Sequence, residues 1–422
     1  MLEVIYMKTV RIGIFGYFRG AAYADHILAN NGQIVAVCDK NEERLQEAKD
    51  KLGDMVTCYK SFDEFLNHDM DAVLITNFFH EHAEYSIRCM EKNIHVLSEC
   101  TSNSTMAEGV RLVEAAQKSK AIYMLSENYP FMLINQEIKR VYDGGTLGKC
   151  LYAEGEYNHA ANPYSKSSAY GRSLYDGSPK HWRAHLPATY YVTHSLAPLM
   201  HATGANPVRV TAMPVFDPSP ADSTTATYIG DKAAIITTLN NDDSVFKFTG
   251  HALYGSAGNS YRLCCRNGQI ENVRGSGGKI MLRYNSWDKP EDMEVTNFYK
   301  PEWTGPDAEL IKKAGHDGGD FCVIREFFRC IREGKEAPFD VYFATRMASV
   351  AILGHRSLME RGVPYDIPDF RLEADREKYR NDELSPFYYS DGREPTISCC
   401  SHADYRPSQQ QEENFDRFLK GE

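Results

Sequence analysis

At 422 residues the chain exceeds one ordinary hydrophobic core, so two packed domains, or one domain with large additions, are expected. Hydrophobic residues make up 42% and charged residues 25%, and a formal net charge of -11 offers no electrostatic attraction to nucleic acid or an anionic membrane. The start MLEVIYMKTVRIGIFG lacks the charged, apolar and small-residue order of a signal peptide, and no apolar run is long enough to span a bilayer, so a cytoplasmic location is expected. The eleven cysteines are odd in number and lack zinc-type spacing, which points to reduced thiols rather than disulfides or a metal knuckle.

Apolar runs alternate with amphipathic stretches through the first 150 residues: VRIGIF (10–15), IVAVC (34–38), AVLIT (72–76), IHVLS (94–98) and IYMLS (122–126). Between them lie helical patterns such as EERLQEAKDKL and HAEYSIRCMEKN, and SFDE at 61–64 has the form of a capping box. This pattern predicts a doubly wound parallel α/β domain over residues 1–148, with its chemistry at the strand ends.

The pattern changes near Cys150. LYAEGEYNH alternates like a strand, a loop rich in Tyr, Ser, Gly and Pro covers 160–187, and 190–203 reads as helix. Then come VRVTAMP, TATYIG, AAIITTL, VFKFTGHALY, YRLCCRN, KIMLRY and MEVTNFY, separated by turn signals such as NNDD, RNGQ and GSGG. They predict an α/β domain over 149–422 with a large, mainly antiparallel sheet. Two helical patterns follow, GDFCVIREFFRCIREG and FATRMASVAILGHRSLMERG, and the last fifty residues are polar, without clear periodicity, and expected to drape over the body or a partner subunit.

The first strand runs into a glycine-rich turn in which Gly16 fits the tight bend and Ala21 the helix-packing position, but Phe18 stands where a dinucleotide fingerprint has its middle glycine. A plain strand-to-helix turn would carry the same glycines. Asp39 ends the second strand, where a carboxylate accepts from both ribose hydroxyls of NAD and repels a 2′-phosphate. As an alternative that excludes nothing, Asp39 caps the helix that follows.

Taken in order, the Gly-x-x-Gly turn Gly13-Ile14-Phe15-Gly16, Asp39, ITNFFHEH, HVLSECTSN, SENYPFM, GHDGGDF and DIPDF resemble the glucose–fructose oxidoreductase/inositol dehydrogenase (Gfo/Idh/MocA) family over nearly the whole chain. The resemblance implies a Rossmann domain with NAD as cofactor, an open sheet used for homo-oligomer formation, and a sugar as substrate. It implies cofactor contacts from Gly16, Phe18, Arg19, Asp39, Asn77, His80, His82, Glu99 and Asn128. His80-Glu81-His82 has the look of a metal pair, but it follows the third strand, where family members contact nicotinamide or ribose, and no metal is expected.

Two of the family's catalytic groups are altered. The fourth strand usually ends in Glu-Lys-Pro, with the lysine moving the substrate's hydroxyl proton; here Glu99, Cys100 and Thr101 stand there. Cys100 lacks a visible activator and is read as a compact wall beside nicotinamide, with Glu99 near its ribose. The usual Asp-x-x-x-His is also changed, because Tyr190 lies four before His194.

The segment HWRAHLPATYYVTHSLAP, 181–198, supplies a replacement. Its Tyr191-Val192-Thr193-His194 is similar to the Tyr-Pro-Thr-His of the family's NAD-dependent α-N-acetylgalactosaminidase branch, which also lacks Glu-Lys-Pro and carries a Trp-Arg pair matched by Trp182-Arg183. Val192 departs from the pattern, and an Asn-Gly insertion before the tyrosine is absent. The resemblance implies transient oxidation of a glycoside at carbon 3, elimination of the aglycone and re-reduction. Such a route needs proton carriers near neutral pH. His194 is assigned to the carbon 3 hydroxyl, Tyr191 to the carbon 2 proton, and Arg183 to the sugar or the enolate charge. Trp182, His181 and His185 are assigned as substrate contacts, with a metal pair or ordinary loop histidines as the other readings of the last two. An ordinary NAD-dependent sugar or polyol dehydrogenase is the rival reading, and a non-catalytic sugar or NAD sensor the third.

Overall fold

The computed structural model describes residues 8–160, 162, 164, 176–224 and 228–422. Much of the loop at 160–187 and the first half of TATYIG lie outside the described residues, and Tyr228–Gly230, the rest of that run, is not a strand. By internal contacts the chain forms two compact units: residues 1–136, 302–345 and 369–381, and residues 137–301, 346–368 and 382–422.

The first unit is built on six strands, β1 (Val10–Phe15), β2 (Gly32–Cys38), β3 (Thr57–Tyr59), β4 (Ala72–Ile75), β5 (His95–Ser98) and β6 (Tyr123–Leu125). Their order is β3-β2-β1-β4-β5-β6 and every neighbouring pair is parallel. A parallel sheet is covered on both faces, which is why β4 is apolar and buried at every position. Winding reverses between β1 and β4, the point at whose carboxyl edge such sheets take their ligands. The helix Glu42–Leu52 forms where its pattern placed it. SFDE does not form a capping box: Ser61 is the N-cap of Phe62–Phe65 without a side-chain bond, because one turn of helix gives the box nothing to stabilise. Reciprocal boxes form instead at Thr105 with Glu108, and at Ser408 with Gln411.

Among its described residues the second unit carries nine strands, β7 (Cys150–Asn158), β8 (Pro207–Phe216), β9 (Asp231–Asn240), β10 (Val245–Thr249), β11 (Gly258–Cys265), β12 (Gly268–Asn272), β13 (Ile280–Tyr284), β14 (Thr296–Tyr299) and β15 (Tyr365–Asp366). They lie in the order β14-β13-β12-β11-β7-β10-β9-β8-β15, antiparallel except for β7 with β10. One face is the core, with Val210, Ala212, Ile236, Phe246, Phe248, Ala153, Leu263 and Ile270 all buried. Register puts Met213 opposite Ile235, Leu239 opposite Val245, Val245 opposite Tyr152, and Met281 opposite Phe298 on the other face, where Met213, Leu239 and Phe298 are exposed.

Strand β12 went unread in the sequence because Gln269 and Glu271 alternate with the single apolar Ile270, which looks like the continuation of a turn. The polar tail is ordered: Glu373–Tyr379 is helical in the first unit, and Gln409–Lys420 is helical in the second. There Gln411 donates to the carbonyls of Ser219 and Pro220, and Phe415 is buried.

Candidate functional site

In the first unit, β1 ends at Gly16, whose φ of 93° belongs to the left-handed region. A Cβ there would lie 2.5 Å from the carbonyl of Thr76, so only glycine lets the turn close against the end of β4. Asp39 braces the same turn: its carboxylate accepts the Tyr17 N–H at 2.7 Å and the Asn41 N–H at 2.9 Å. The following helix is capped by Asn41, not Asp39, through a bond from the Glu43 N–H. Phe18, in place of the middle glycine, turns its ring outward beneath the guanidinium of Arg44 at 4.8 Å. Asn77 has a buried Oδ1 with no hydrogen-bond partner among the described residues, an acceptor suited to a bound ribose or amide.

His82 faces the carbonyls of Thr101 at 2.9 Å and Asn77 at 3.3 Å, and burial lowers its pKa. His80 is buried beside Glu81. Among the described residues no group of three or more metal-ligating side chains comes together.

The carboxyl edges of β1, β5 and β6 are joined by a polar network that the sequence did not announce. Glu99 accepts from Arg19 Nε and from the Tyr23 hydroxyl, both at 2.8 Å, and from the Cys100 N–H at 3.0 Å. Arg19 also reaches Asp320 at 3.3 Å, Asn128 donates to Asp320 at 2.6 Å, and His316 Nδ1 lies 2.8 Å from its other oxygen. Against the upward push of burial, the bond with His316 and the charge of Arg19 hold Asp320 well below the usual carboxylate range. Arg19, Glu99 and Asn128, three of the expected cofactor residues, are thus fixed before any ligand arrives. The Cys100 thiol donates to the buried Glu127 carboxylate at 3.0 Å.

In the second unit the helix begins at Thr193, three residues later than expected, so Tyr191 precedes it. Tyr191 and His194 meet nonetheless, with ring centres 4.9 Å apart and planes at 89°. Tyr157, at the end of β7, stacks on Tyr191 at 5.7 Å and meets His194 edge-on at 4.8 Å. His251, just past β10, packs 5.7 Å from Tyr191, and His159 lies 4.6 Å from Tyr157. The backbone under this cluster is closely fitted. A Cβ on Gly155 would fall 2.1 Å from the Ser195 carbonyl, the Tyr261 hydroxyl donates to the His194 carbonyl at 2.7 Å, and the Ser195 hydroxyl donates to the carbonyls of Val192 and Thr249.

Arg183 lies over Trp182 at 4.3 Å, and its positive charge is felt at His251. His181 stands beside Trp182 and accepts the Arg183 N–H. His185 belongs elsewhere: it stacks on Tyr228 at 4.5 Å, meets Tyr388 edge-on and points Nε2 at the Pro179 carbonyl, and burial pushes its pKa to about 4. The structure therefore gathers Tyr191, His194 and the charge of Arg183, leaves His185 in an aromatic packing site, and adds Tyr157, His159 and His251. Their only signals in the sequence were a Tyr and a His closing GEYNH and a His after TG.

These two sets of residues define an enzyme with an NAD-binding Rossmann unit and a polar, aromatic cluster in its second unit. Residues 8–127 match the NAD-binding Rossmann fold of the oxidoreductase family, and residues 269–375 match the C-terminal domain of glycosyl hydrolase family 109. A glycosyl hydrolase family 109 protein of Streptomyces filamentosus is 26% identical over 409 residues, covering 86% of this chain and 78% of the relative. One from Shewanella pealeana is 24% identical, covering 88% of each. Among solved structures, levoglucosan dehydrogenase in complex with NADH and levoglucosan superposes with a TM-score of 0.72 at 16% identity, over 86% of this chain and 100% of that one. An oxidoreductase domain protein from Kribbella flavida gives 0.69 at 17%, over 86% of this chain and 100% of that one. The chain is similar to the Gfo/Idh/MocA oxidoreductases over its first unit and to glycosyl hydrolase family 109 proteins over most of its length, and its cofactor is NAD.

The residues at the carboxyl edge fit that cofactor, through the closed Gly16 turn, Asp39 and the unpartnered Asn77 oxygen. A preference for NAD over NADP is expected from the Asp39 charge, and Asp39→Ser should narrow it by at least roughly tenfold, since a neighbouring carboxylate is what repels a 2′-phosphate. Titration of both cofactors against both proteins measures it. Equal affinities in the unaltered protein would remove Asp39 from this role.

Proposed function

We propose that the protein is a redox-assisted glycosidase, which oxidises a glycoside at carbon 3, expels the anomeric substituent by elimination, adds water across the carbon 1–carbon 2 double bond so formed and restores the alcohol, with no net redox. The observation that carries this reading is the 4.9 Å pairing of Tyr191 with His194 in a chain that has Cys100 where the family it resembles has a catalytic lysine. NAD, when bound, supplies hydride acceptance and its later return. His194 takes the proton of the carbon 3 hydroxyl. The ketone acidifies the neighbouring C–H, and Tyr191 removes that proton. Arg183 balances the enolate charge while the aglycone leaves. Trp182 and His181, packed against one another at 5.4 Å, wall the sugar.

The test is product analysis on a panel of p-nitrophenyl glycosides with simultaneous recording of NADH absorbance. Catalytic NAD with released aglycone supports the reading. Stoichiometric NADH without cleavage makes the protein a sugar dehydrogenase, the reading that the levoglucosan dehydrogenase neighbours favour.

A homo-oligomer is part of the proposal. The outer face of the nine-stranded sheet leaves Met213, Leu239 and Phe298 exposed around the Lys247–Glu154–Arg262 ion pairs, a mixed surface that a second subunit could cover. Light scattering at micromolar concentration should give a multiple of 47.8 kDa, and a clean monomer would refute it.

A further inference from the structure

We infer that His251 is a sugar-contacting residue, an imidazole that holds ring hydroxyls of an uncharged glycoside. The inference rests on the reading of the second unit as the sugar site and adds a residue to it. His251 is set in place by its backbone. The preceding Gly250 has no room for a side chain, since a Cβ would lie 1.8 Å from the Ala188 carbonyl, and the His251 N–H donates to that same carbonyl at 2.9 Å. The segment leading to Tyr191 and the end of β10 are therefore clamped together, and the ring position follows from the clamp.

Among the described residues the ring meets aromatic neighbours: Tyr191 at 5.7 Å, Tyr157 at 5.9 Å and His159 at 6.5 Å. Among the described residues neither ring nitrogen has a hydrogen-bond partner. The ring is only partly buried, so both nitrogens stay open to a ligand in the wall of the cluster that holds Tyr191 and His194. The charged and titratable groups that face the ring are His159 from the end of β7, Arg183 from the turn at Trp182–His185, and His194 from the helix Thr193–Thr203, with the phenols of Tyr157 and Tyr191 beside them. Burial and the positive charge of these neighbours push the imidazole down to about 3, so it stays neutral throughout the working range. A neutral imidazole offers one donor and one acceptor. A sugar hydroxyl, which both donates and accepts, matches that pair; a cationic amino sugar does not, because it would meet Arg183 as well.

The experiment uses the full-length, NAD-loaded protein and its His251→Leu, His251→Phe and His251→Gln variants. Calorimetry measures binding of N-acetylgalactosamine, galactose and levoglucosan, with NAD affinity and thermal midpoint recorded in parallel. The sugar that the unaltered protein binds should bind roughly tenfold more weakly to His251→Leu and His251→Phe. His251→Gln, which keeps a donor and an acceptor, should stay within about threefold. NAD affinity should be the same in all four. His251→Phe keeps the ring packing, so it decides the matter if His251→Leu shifts the thermal midpoint. Unchanged sugar binding in His251→Phe, or a His251→Gln as weak as His251→Phe, overturns the inference alone. If the unaltered protein binds none of the three sugars, the reading of the second unit falls first and this inference with it.

Discussion

His194→Ala and Tyr191→Phe should each lower turnover of the cleaved glycoside by roughly 10²- to 10⁴-fold, the usual worth of a positioned proton carrier. Tyr191→Phe is the cleaner of the two. It keeps the ring that stacks on Tyr157 and deletes only the hydroxyl, so packing is preserved while the proposed base at carbon 2 is lost. His194 is buried and packs edge-on against Tyr157, so its replacement needs a thermal-midpoint control, with His194→Gln as the milder form. NAD affinity should not follow turnover in either variant, because both residues belong to the second unit and the residues expected to hold the cofactor to the first. Cys100→Ala should be mild. Its thiol donates to Glu127, a bond that positions the thiol without making it a proton carrier for a sugar. Full turnover in His194→Ala with loss in Cys100→Ala would reverse the assignment and put the chemistry at the end of β5.

What could be read from the sequence was what neighbouring residues decide together. The five apolar runs became strands because each is short, continuous and bounded by helical patterns, and the parallel order followed from their alternation with helices. Asp39 was legible because a carboxylate at the end of a second strand has few reasons to be there. The pairing of Tyr191 with His194 was suggested by a local motif, although Tyr191 precedes the helix Thr193–Thr203; their meeting is set by Tyr157 and by Ser195 bonded to the Thr249 carbonyl. What was hidden depends on residues far apart in the chain. Asp320 lies 301 positions from Arg19, and His251 takes its place from a clamp on Ala188. Nor did the pattern change near Cys150 reveal that residues 302–345 and 369–381 return to the first unit, since amphipathic helices carry no mark of the sheet they cover. SFDE shows the converse failure, a correct motif on a helix too short to need it.

The largest effect on stability should come from Asp320→Leu. This side chain is 4% exposed and serves three partners at once: Arg19, Asn128 and His316. Leucine fills a similar volume but leaves the guanidinium and the amide without their acceptor. Breaking a buried charge pair by removing one member costs about 3–5 kcal/mol, because the other charge stays behind. Arg19 keeps 32% of its side chain in water and a second carboxylate in Glu99, which places the cost at the lower end, about 3 kcal/mol. For a unit of this size that is a fall of roughly 6–12 °C in its unfolding midpoint. Asp320→Asn, which keeps one acceptor oxygen for Arg19 or Asn128, should lose less. The sign of the pH dependence follows from the depressed carboxylate. Its stabilisation is fully present above the ordinary aspartate value of about 3.9 and is lost as pH falls through the lower folded value. The gap in midpoint between Asp320→Leu and the unaltered protein should therefore be constant from neutral pH down to about 4 and close only in stronger acid. Thermal melts of the cofactor-free protein across that range measure it. A gap that vanishes near neutral pH would mean that Asp320 is not the ionised centre of the network, and an Asp320→Leu midpoint equal to that of the unaltered protein would mean that Glu99 alone holds Arg19.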